Sequence, residues 1–252
     1  MKPFSFLEIP DYNGITMVLD KGLPLNYVED YLKICGEYIN FVKFGWGTSA
    51  IQNKDIIMKK IKIYKKHNIK TYVGGTLFEL CYIQNKYEEY LKECKKLGFQ
   101  CVEISDGTIN LDIKERNEVI KIAKENDFTV LSEVGKKSIE EDNKITIKNR
   151  IDIINSDLKN GADFVIIEGR ESGKSIGLFD NKGNIKENDF KEILNNVNAE
   201  KIIFEAPHKN QQVEFILTIG PTVNLGNISY DDVISLKTLR TGLRGDTFGL
   251  IK

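Results

Sequence analysis

The sequence predicts an α/β fold, built as a single-domain (β/α)8 (TIM) barrel. Three observations predict it. Short apolar runs occur eight times, at intervals of roughly 20–35 residues. Charged segments with helical spacing lie between them. The chain has 252 residues, and one such barrel typically needs about 250.

The runs are residues 15–20, 41–47, 71–76, 101–107, 129–135, 164–170, 201–206 and 222–227. Most are rich in Val, Ile or Phe, as strands buried on both faces are. Helical spacing opens at 27–32 and continues over 56–66, 87–97, 116–126, 147–160 and 190–197. Several of these segments stop at Gly or Asn, as helix C-termini do. Lys96-Leu97-Gly98-Phe99 and Lys159-Asn160-Gly161-Ala162 read as helix-to-strand turns of this kind. Strict alternation implies a parallel sheet covered by helices. An open doubly wound sheet is the alternative. It favours a Gly-rich turn after the first strand, and Asp20-Lys21-Gly22-Leu23-Pro24 is not G-x-G-x-x-G. No linker or low-complexity tract interrupts the pattern, so one catalytic domain is expected over 1–252.

Composition excludes some partners. A net charge of −1, from 36 basic and 37 acidic side chains, leaves no footprint for nucleic acid or an anionic membrane. An anionic substrate must therefore be held by local clusters. Cys35, Cys81, Cys94 and Cys101 form no C-x-x-C pair and fit no zinc spacing. They read as reduced, apolar residues of a cytoplasmic protein. The run Met1-Lys2-Pro3-Phe4-Ser5-Phe6 has no long apolar core for export, and no segment approaches a membrane span.

The informative feature is charge at the ends of the apolar runs. The second run contains Lys43 and the fourth Glu103. The fifth ends near Glu133, Lys136 and Lys137, the sixth at Glu168 and Arg170, and the seventh at Glu205. A charge late in a buried strand is costly unless it is paired, metal-bound or in a polar pocket. Strand alternation puts Val102 and Ile104 on the face opposite Glu103, and places Glu168 and Arg170 on one face. The apolar partners should face the helices, and the charges the barrel mouth, where such enzymes keep their catalytic groups. A set of ion pairs plugging the barrel is the bland alternative.

Glu103, Glu133, Glu168 and Glu205 supply oxygens suited to a hard cation. Magnesium needs only two or three carboxylates because it keeps waters. Lys43, Lys136, Lys137 and Arg170 supply positive charge for carboxylate or phosphate. Carboxylates, metal and Lys together suit an enolate-like intermediate. Two Gly-rich segments are candidate phosphate cradles. Asn224, Gly226 and Asn227 lie in the segment read as ending the eighth strand. Ser172 and Lys174 follow the sixth, in a stretch long enough to be a lid. Arg240 and Arg244, in the tail, could meet a phosphate or a neighbouring subunit. His67 is expected in solvent at a helix end, and His208 near the mouth; neither supports a Ser-His-Asp or His-rich zinc site.

Several runs resemble the phosphosulfolactate synthase family of methanogenic archaea. They are Val18-Leu19-Asp20-Lys21-Gly22, Phe41-Val42-Lys43-Phe44-Gly45-Trp46-Gly47-Thr48-Ser49, Gly74-Gly75-Thr76-Leu77-Phe78-Glu79 and Val102-Glu103-Ile104-Ser105-Asp106-Gly107. They continue with Glu133-Val134-Gly135-Lys136-Lys137, Ile167-Glu168-Gly169-Arg170-Glu171-Ser172-Gly173, Phe204-Glu205-Ala206-Pro207 and Leu243-Arg244-Gly245-Asp246-Thr247-Phe248-Gly249. Val73 stands where Pro often precedes the Gly pair, and His208 where Gln is common.

The resemblance implies magnesium-dependent addition of sulfite to C3 of phosphoenolpyruvate, with protonation at C2. The product is (2R)-phospho-3-sulfolactate, in the first step of coenzyme M biosynthesis. On that reading Glu103, Glu133 and Glu168 are the expected metal ligands, with Glu205 a fourth candidate or a supporting group. Lys137 is the first choice for proton donor and Lys136 the second. Lys43 and Arg170 hold the anionic groups. A homo-oligomer is the default for such barrels. Two other functions compete: a Schiff-base aldolase using Lys43, and a non-catalytic stress-associated protein of the same family.

Overall fold

In the computed structural model, which describes residues 3–251, strands and helices alternate as the sequence predicts. Met1 and Lys2 of the N-terminal run lie outside the described residues. The first half comprises β1 (Thr16–Asp20), α1 (Leu25–Cys35), β2 (Phe41–Phe44), α2 (Lys54–Lys66), β3 (Lys70–Val73), α3 (Gly75–Ile83), α4 (Tyr87–Leu97) and β4 (Cys101–Ser105). The second comprises α5 (Ile113–Glu125), β5 (Thr129–Val134), α6 (Ile139–Asp142), α7 (Ile147–Lys159), β6 (Phe164–Ile167), α8 (Glu187–Asn196), β7 (Ile202–Glu205), α9 (Lys209–Ile219), β8 (Leu225–Ile228) and α10 (Val233–Arg240).

The strands are parallel and follow the order β3-β2-β1-β8-β7-β6-β5-β4. With β1 between β2 and β8, the sheet curls into a barrel rather than the open doubly wound alternative. Its two ends, β3 and β4, meet without a backbone ladder. Side chains bridge them instead. Thr71 N donates to Gln100 Oε1 at 2.9 Å, and Gly75 N donates to Glu103 Oε1 at 2.5 Å. One main-chain bond, Gln100 N to Thr71 O at 3.3 Å, completes the seam.

Each run of the sequence overlaps a strand, but the strands are shorter, and β3 starts and β8 ends one residue outside its run. The run at 71–76 ends as strand at Val73 because α3 starts at Gly75. A Cβ on Gly75 would lie 2.4 Å from Ser105 Cβ, so only glycine lets α3 start against β4. Helix α3, together with α6, α9 and α10, lies outside the helical segments read from the sequence. Where caps are strong, the prediction is close. Asn53 caps α2 through Asp55 N, and Asp112 with Glu115 forms a capping box on α5.

The core has two parts. Outward strand residues such as Val18, Val42, Val102, Val130 and Ile202 pack under the helices. Inward residues Met17, Phe41, Tyr72, Cys101, Leu131, Ile166 and Ile203 fill the barrel itself. The lower part of the barrel is thus filled by apolar side chains. All four cysteines are free thiols. Among the described residues no helix is long and apolar enough to cross a membrane.

Candidate active site

Alternation along each strand puts the next inward residue two positions after the plug. Phe41 is followed by Lys43, Cys101 by Glu103, Leu131 by Glu133 and Ile203 by Glu205; Ile166 precedes Glu168 just past the end of β6. The sequence-predicted charges therefore form one layer on top of an apolar floor. Lys43 Nζ sits at its centre, 2.9 Å from Glu103 Oε2, 2.9 Å from Glu133 Oε2 and 3.7 Å from Glu205 Oε1.

Burial alone would lower the Lys43 ammonium. The charges of Glu103, Glu133 and Glu205 outweigh that and hold it well above the ordinary lysine range. Burial pushes Glu103 up to about 7, against the pull of Lys43. Burial acts the same way on Glu133, but Lys43 and Lys137 more than offset it and take the group down to about 2. Ser105 Oγ lies 3.1 Å from Glu133 Oε1 and shares its single proton between that oxygen and Glu79. Glu168 goes well above the carboxylate range, from burial first and then from the negative charges of Glu133 and Glu205.

Above this layer opens a cavity of about 660 Å³. Lys43, Lys137, Glu168, Arg170, Ser172, Lys174, Glu205 and Asn227 all line it. Lys137 Nζ donates to Thr76 Oγ1 at 2.7 Å and lies 4.0 Å from Glu79 Oε1. Burial disfavours its charge, yet Glu133 and Glu79 raise it above the usual lysine value. Arg170 Nη1 donates to Lys137 O at 2.5 Å. Glu205 Oε2 accepts from Gly169 N at 3.0 Å and Arg170 N at 3.2 Å, which fixes the turn carrying that arginine. Arg170 lies beyond β6 with φ at +58°, so it reaches the cavity from a turn and not from a shared strand face with Glu168.

Other predicted residues sit elsewhere. Lys136 turns away from the cavity: its Nζ donates to Asp106 O at 2.6 Å, Asp106 Oδ2 at 2.8 Å and Ile109 O at 2.7 Å. Asp106 is in turn held by Arg116, which also grips Asp157. Lys136 thus belongs to a structural ion network, and adjacent lysines point apart as strand-end geometry requires. Asn224 is at the opposite end of the barrel. Strand β8 starts at Leu225, so the segment read as the strand's end is its beginning. Asn224 Nδ2 donates to Glu200 O and Ile202 O, and its Oδ1 accepts from Ile15 N. Gly226 is inside the barrel, where a Cβ would lie 2.5 Å from Met17 Cε. Glu103 and Glu133 lie beneath the cavity, bound to Lys43.

His208 does reach the segment after β6, through a 2.9 Å contact between Nε2 and Ser172 O. His67 is half-buried against Gly36, not in solvent. Arg240 is buried away from the mouth and donates to Pro221 O and Ile15 O.

Sequence reasoning left out Thr76, Glu79 and Lys21. The first two lie on α3, a helix hidden by its leading glycines. Glu79 is buried and accepts from Ser105 Oγ at 2.7 Å and from Thr108. Lys21 pairs with Glu171 at the mouth and lies 4.4 Å from the Trp46 ring centroid.

Among the described residues, no three His, Cys, Asp or Glu side chains form a group arranged to hold a metal ion. Lys43 is paired with one oxygen of Glu103 and one of Glu133, and at 3.7 Å with one of Glu205. Glu168 and Glu205 do face the cavity. Burial raises Glu168 first, then the negative charges of Glu133 and Glu205, and a divalent cation beside it would oppose all three. Two carboxylates fit a magnesium ion that takes its remaining oxygens from water or substrate.

The family model described as (2R)-phospho-3-sulfolactate synthase (ComA) matches residues 6–246. A phosphosulfolactate synthase of Methanocaldococcus jannaschii is 59% identical over 251 residues, covering 100% of both chains. One of Bacillus subtilis is 40% identical over 242 residues, covering 96% of this chain and 94% of its own. The family is thus not confined to archaea. In fold, the chain is similar to 3-hexulose-6-phosphate synthase from Salmonella typhimurium. The TM-score is 0.59 at 12% identity, covering 90% of this chain and 98% of that one.

Proposed function

The chain belongs to the (2R)-phospho-3-sulfolactate synthase family, and from that premise we propose that this enzyme adds sulfite to phosphoenolpyruvate. The observation that carries the proposal is the convergence of Lys137, Arg170 and Lys174 on one cavity above the Lys43 layer. Such a cavity suits two anionic reactants that repel each other in water.

The sulfur lone pair of sulfite forms a bond to C3 of the enol phosphate. The C2–C3 π pair moves to C2 and spreads into the carboxylate. A proton then reaches C2 from one face, and the phosphate ester stays intact. Lys137 is the donor that this geometry favours. Its ammonium faces the cavity and is aimed by Thr76. Arg170 and Lys174 hold anionic oxygens, Arg170 through the planar fork that suits carboxylate and phosphate. Lys43 keeps the carboxylate layer neutral enough for an anion to approach it. Glu168 and Glu205 would hold magnesium, which supplies positive charge at the developing enolate. Stabilisation placed where charge develops lowers the barrier more than it tightens substrate binding.

The test is phosphorus NMR of protein mixed with phosphoenolpyruvate, sulfite and magnesium. The enol phosphate signal should convert to an alkyl phosphate signal, and EDTA should stop it. No conversion by folded, magnesium-loaded protein would sink the reading and move weight to a stress-associated role.

The aldolase alternative requires a neutral amine on Lys43. Three carboxylates around that ammonium oppose its deprotonation. Borohydride added with a small carbonyl compound should therefore leave Lys43 unmodified; a reduced adduct in its peptide by mass spectrometry would restore the aldolase reading.

A further inference from the structure

Two loops at the mouth carry the cavity's cations. Residues 135–138 follow β5 and bring Lys137. Residues 168–186 follow β6 and bring Arg170 and Lys174. Asp142, at the end of α6, binds both. Its Oδ1 accepts from Lys136 N at 2.9 Å, and its Oδ2 accepts from Gly177 N at 2.8 Å. The carboxylate is 2% exposed, and Arg150, 3% exposed, pairs with Oδ1 at 2.6 Å.

The surroundings leave no room for another arrangement. Gly135 and Gly177 both have positive φ, and both touch Glu168. A Cβ on Gly135 would lie 2.7 Å from Glu168 Cβ, and one on Gly177 would lie 2.1 Å from Glu168 O. The stretch bearing Glu168 is therefore clamped between the two segments that Asp142 ties together. A second tie, Arg170 Nη1 to Lys137 O, joins the same loops on the cavity side. Lys137 N also donates to Gly107 O, which anchors the first loop alone.

We propose that Asp142, held by Arg150, is a positioning residue that sets Lys137, Glu168 and Arg170 as one unit. It touches no substrate. A carboxylate can accept two backbone N–H bonds at once, whereas an amide offers one accepting oxygen and places a donor at the other. Asp142→Asn therefore loses one loop and leaves Arg150 without its counter-charge. The proposal rests on the sulfite-addition reading for its kinetic arm, but not for its structural arm.

The structural arm is amide hydrogen exchange on the unmodified protein. Lys136 and Gly177 N–H should both be protected well beyond an open loop and should exchange together. Exchange of either at the rate of an unprotected amide overturns the staple, whatever the activity. The kinetic arm compares Asp142→Asn, Arg170→Gln and the double variant. Folded Asp142→Asn should lose roughly 10–100-fold in kcat/KM, with kcat falling as well as KM rising. Arg170→Gln should then cost far less in that background than in the unmodified protein, because the arginine is already misplaced. Additive losses, or a folded Asp142→Asn with ordinary kcat and KM, would show that Asp142 is only structural. If the unmodified protein does not turn over, the functional reading fails while the exchange result still decides the staple.

Discussion

Lys137→Ala is expected to lower kcat by about 10²–10⁴-fold, the usual contribution of a positioned proton donor, while the fold survives. The survival has a geometric reason. The loop is held through backbone atoms of Lys137, whose N donates to Gly107 O and whose O accepts from Arg170. Removing the side chain leaves those bonds in place; it frees Thr76 Oγ1 from its 2.7 Å contact and takes one positive charge from beside Glu79 and Glu133. Lys137→Arg separates charge from proton transfer. The guanidinium keeps the positive charge but does not release a proton near neutral pH, so binding should hold while turnover stays low. Stopped assays with phosphorus NMR and thermal unfolding of both variants check this. Full activity in Lys137→Ala would remove the residue from the mechanism.

Lys43→Met should lower stability sharply. It leaves Glu103, Glu133 and Glu205 facing one another with no cation between them. Removing one partner of a buried ion pair costs about 3–5 kcal/mol, which at this size lowers Tm by on the order of 10 °C. Activity should vanish as well, since the layer would repel an incoming anion. A second substitution separates the two effects. Adding Glu133→Gln removes one repelling charge, so part of the lost Tm should return without activity. An unchanged Tm in Lys43→Met, measured by calorimetry, would mean that the carboxylates are neutralised some other way.

The barrel was legible because its strands are short, apolar and regularly spaced, and because several helices stop at Gly or Asn, as α4 does at Gly98 and α5 at Asn126. The charge layer was legible for a related reason. A residue such as Glu103 between Val102 and Ile104 has no inexpensive place except an inward polar site. What the sequence hid was direction. Nothing local distinguishes Lys136 from Lys137; the difference comes from Asp106, which is fixed by Arg116 on α5. Nor does the run around Asn224 show which end of a strand it occupies, because β8 has only four residues. Glu79 escaped because Gly74-Gly75 reads as a turn until the approach of α3 to Ser105 is known. The three-carboxylate metal set was drawn from residue types alone, which do not show that Lys43 pairs with one oxygen each of Glu103 and Glu133.

The seam between β3 and β4 ties assembly to competence. Glu103 spends one oxygen on Gly75 N across that seam and turns the other toward Lys43. The same carboxylate therefore reports whether the circle is complete and sets the charge that the reaction needs. A chain in which β3 and β4 have not met would leave Glu103 without Gly75 N and free to turn from Lys43. Closure of the barrel at this joint and the charge balance around Lys43 thus share one carboxylate.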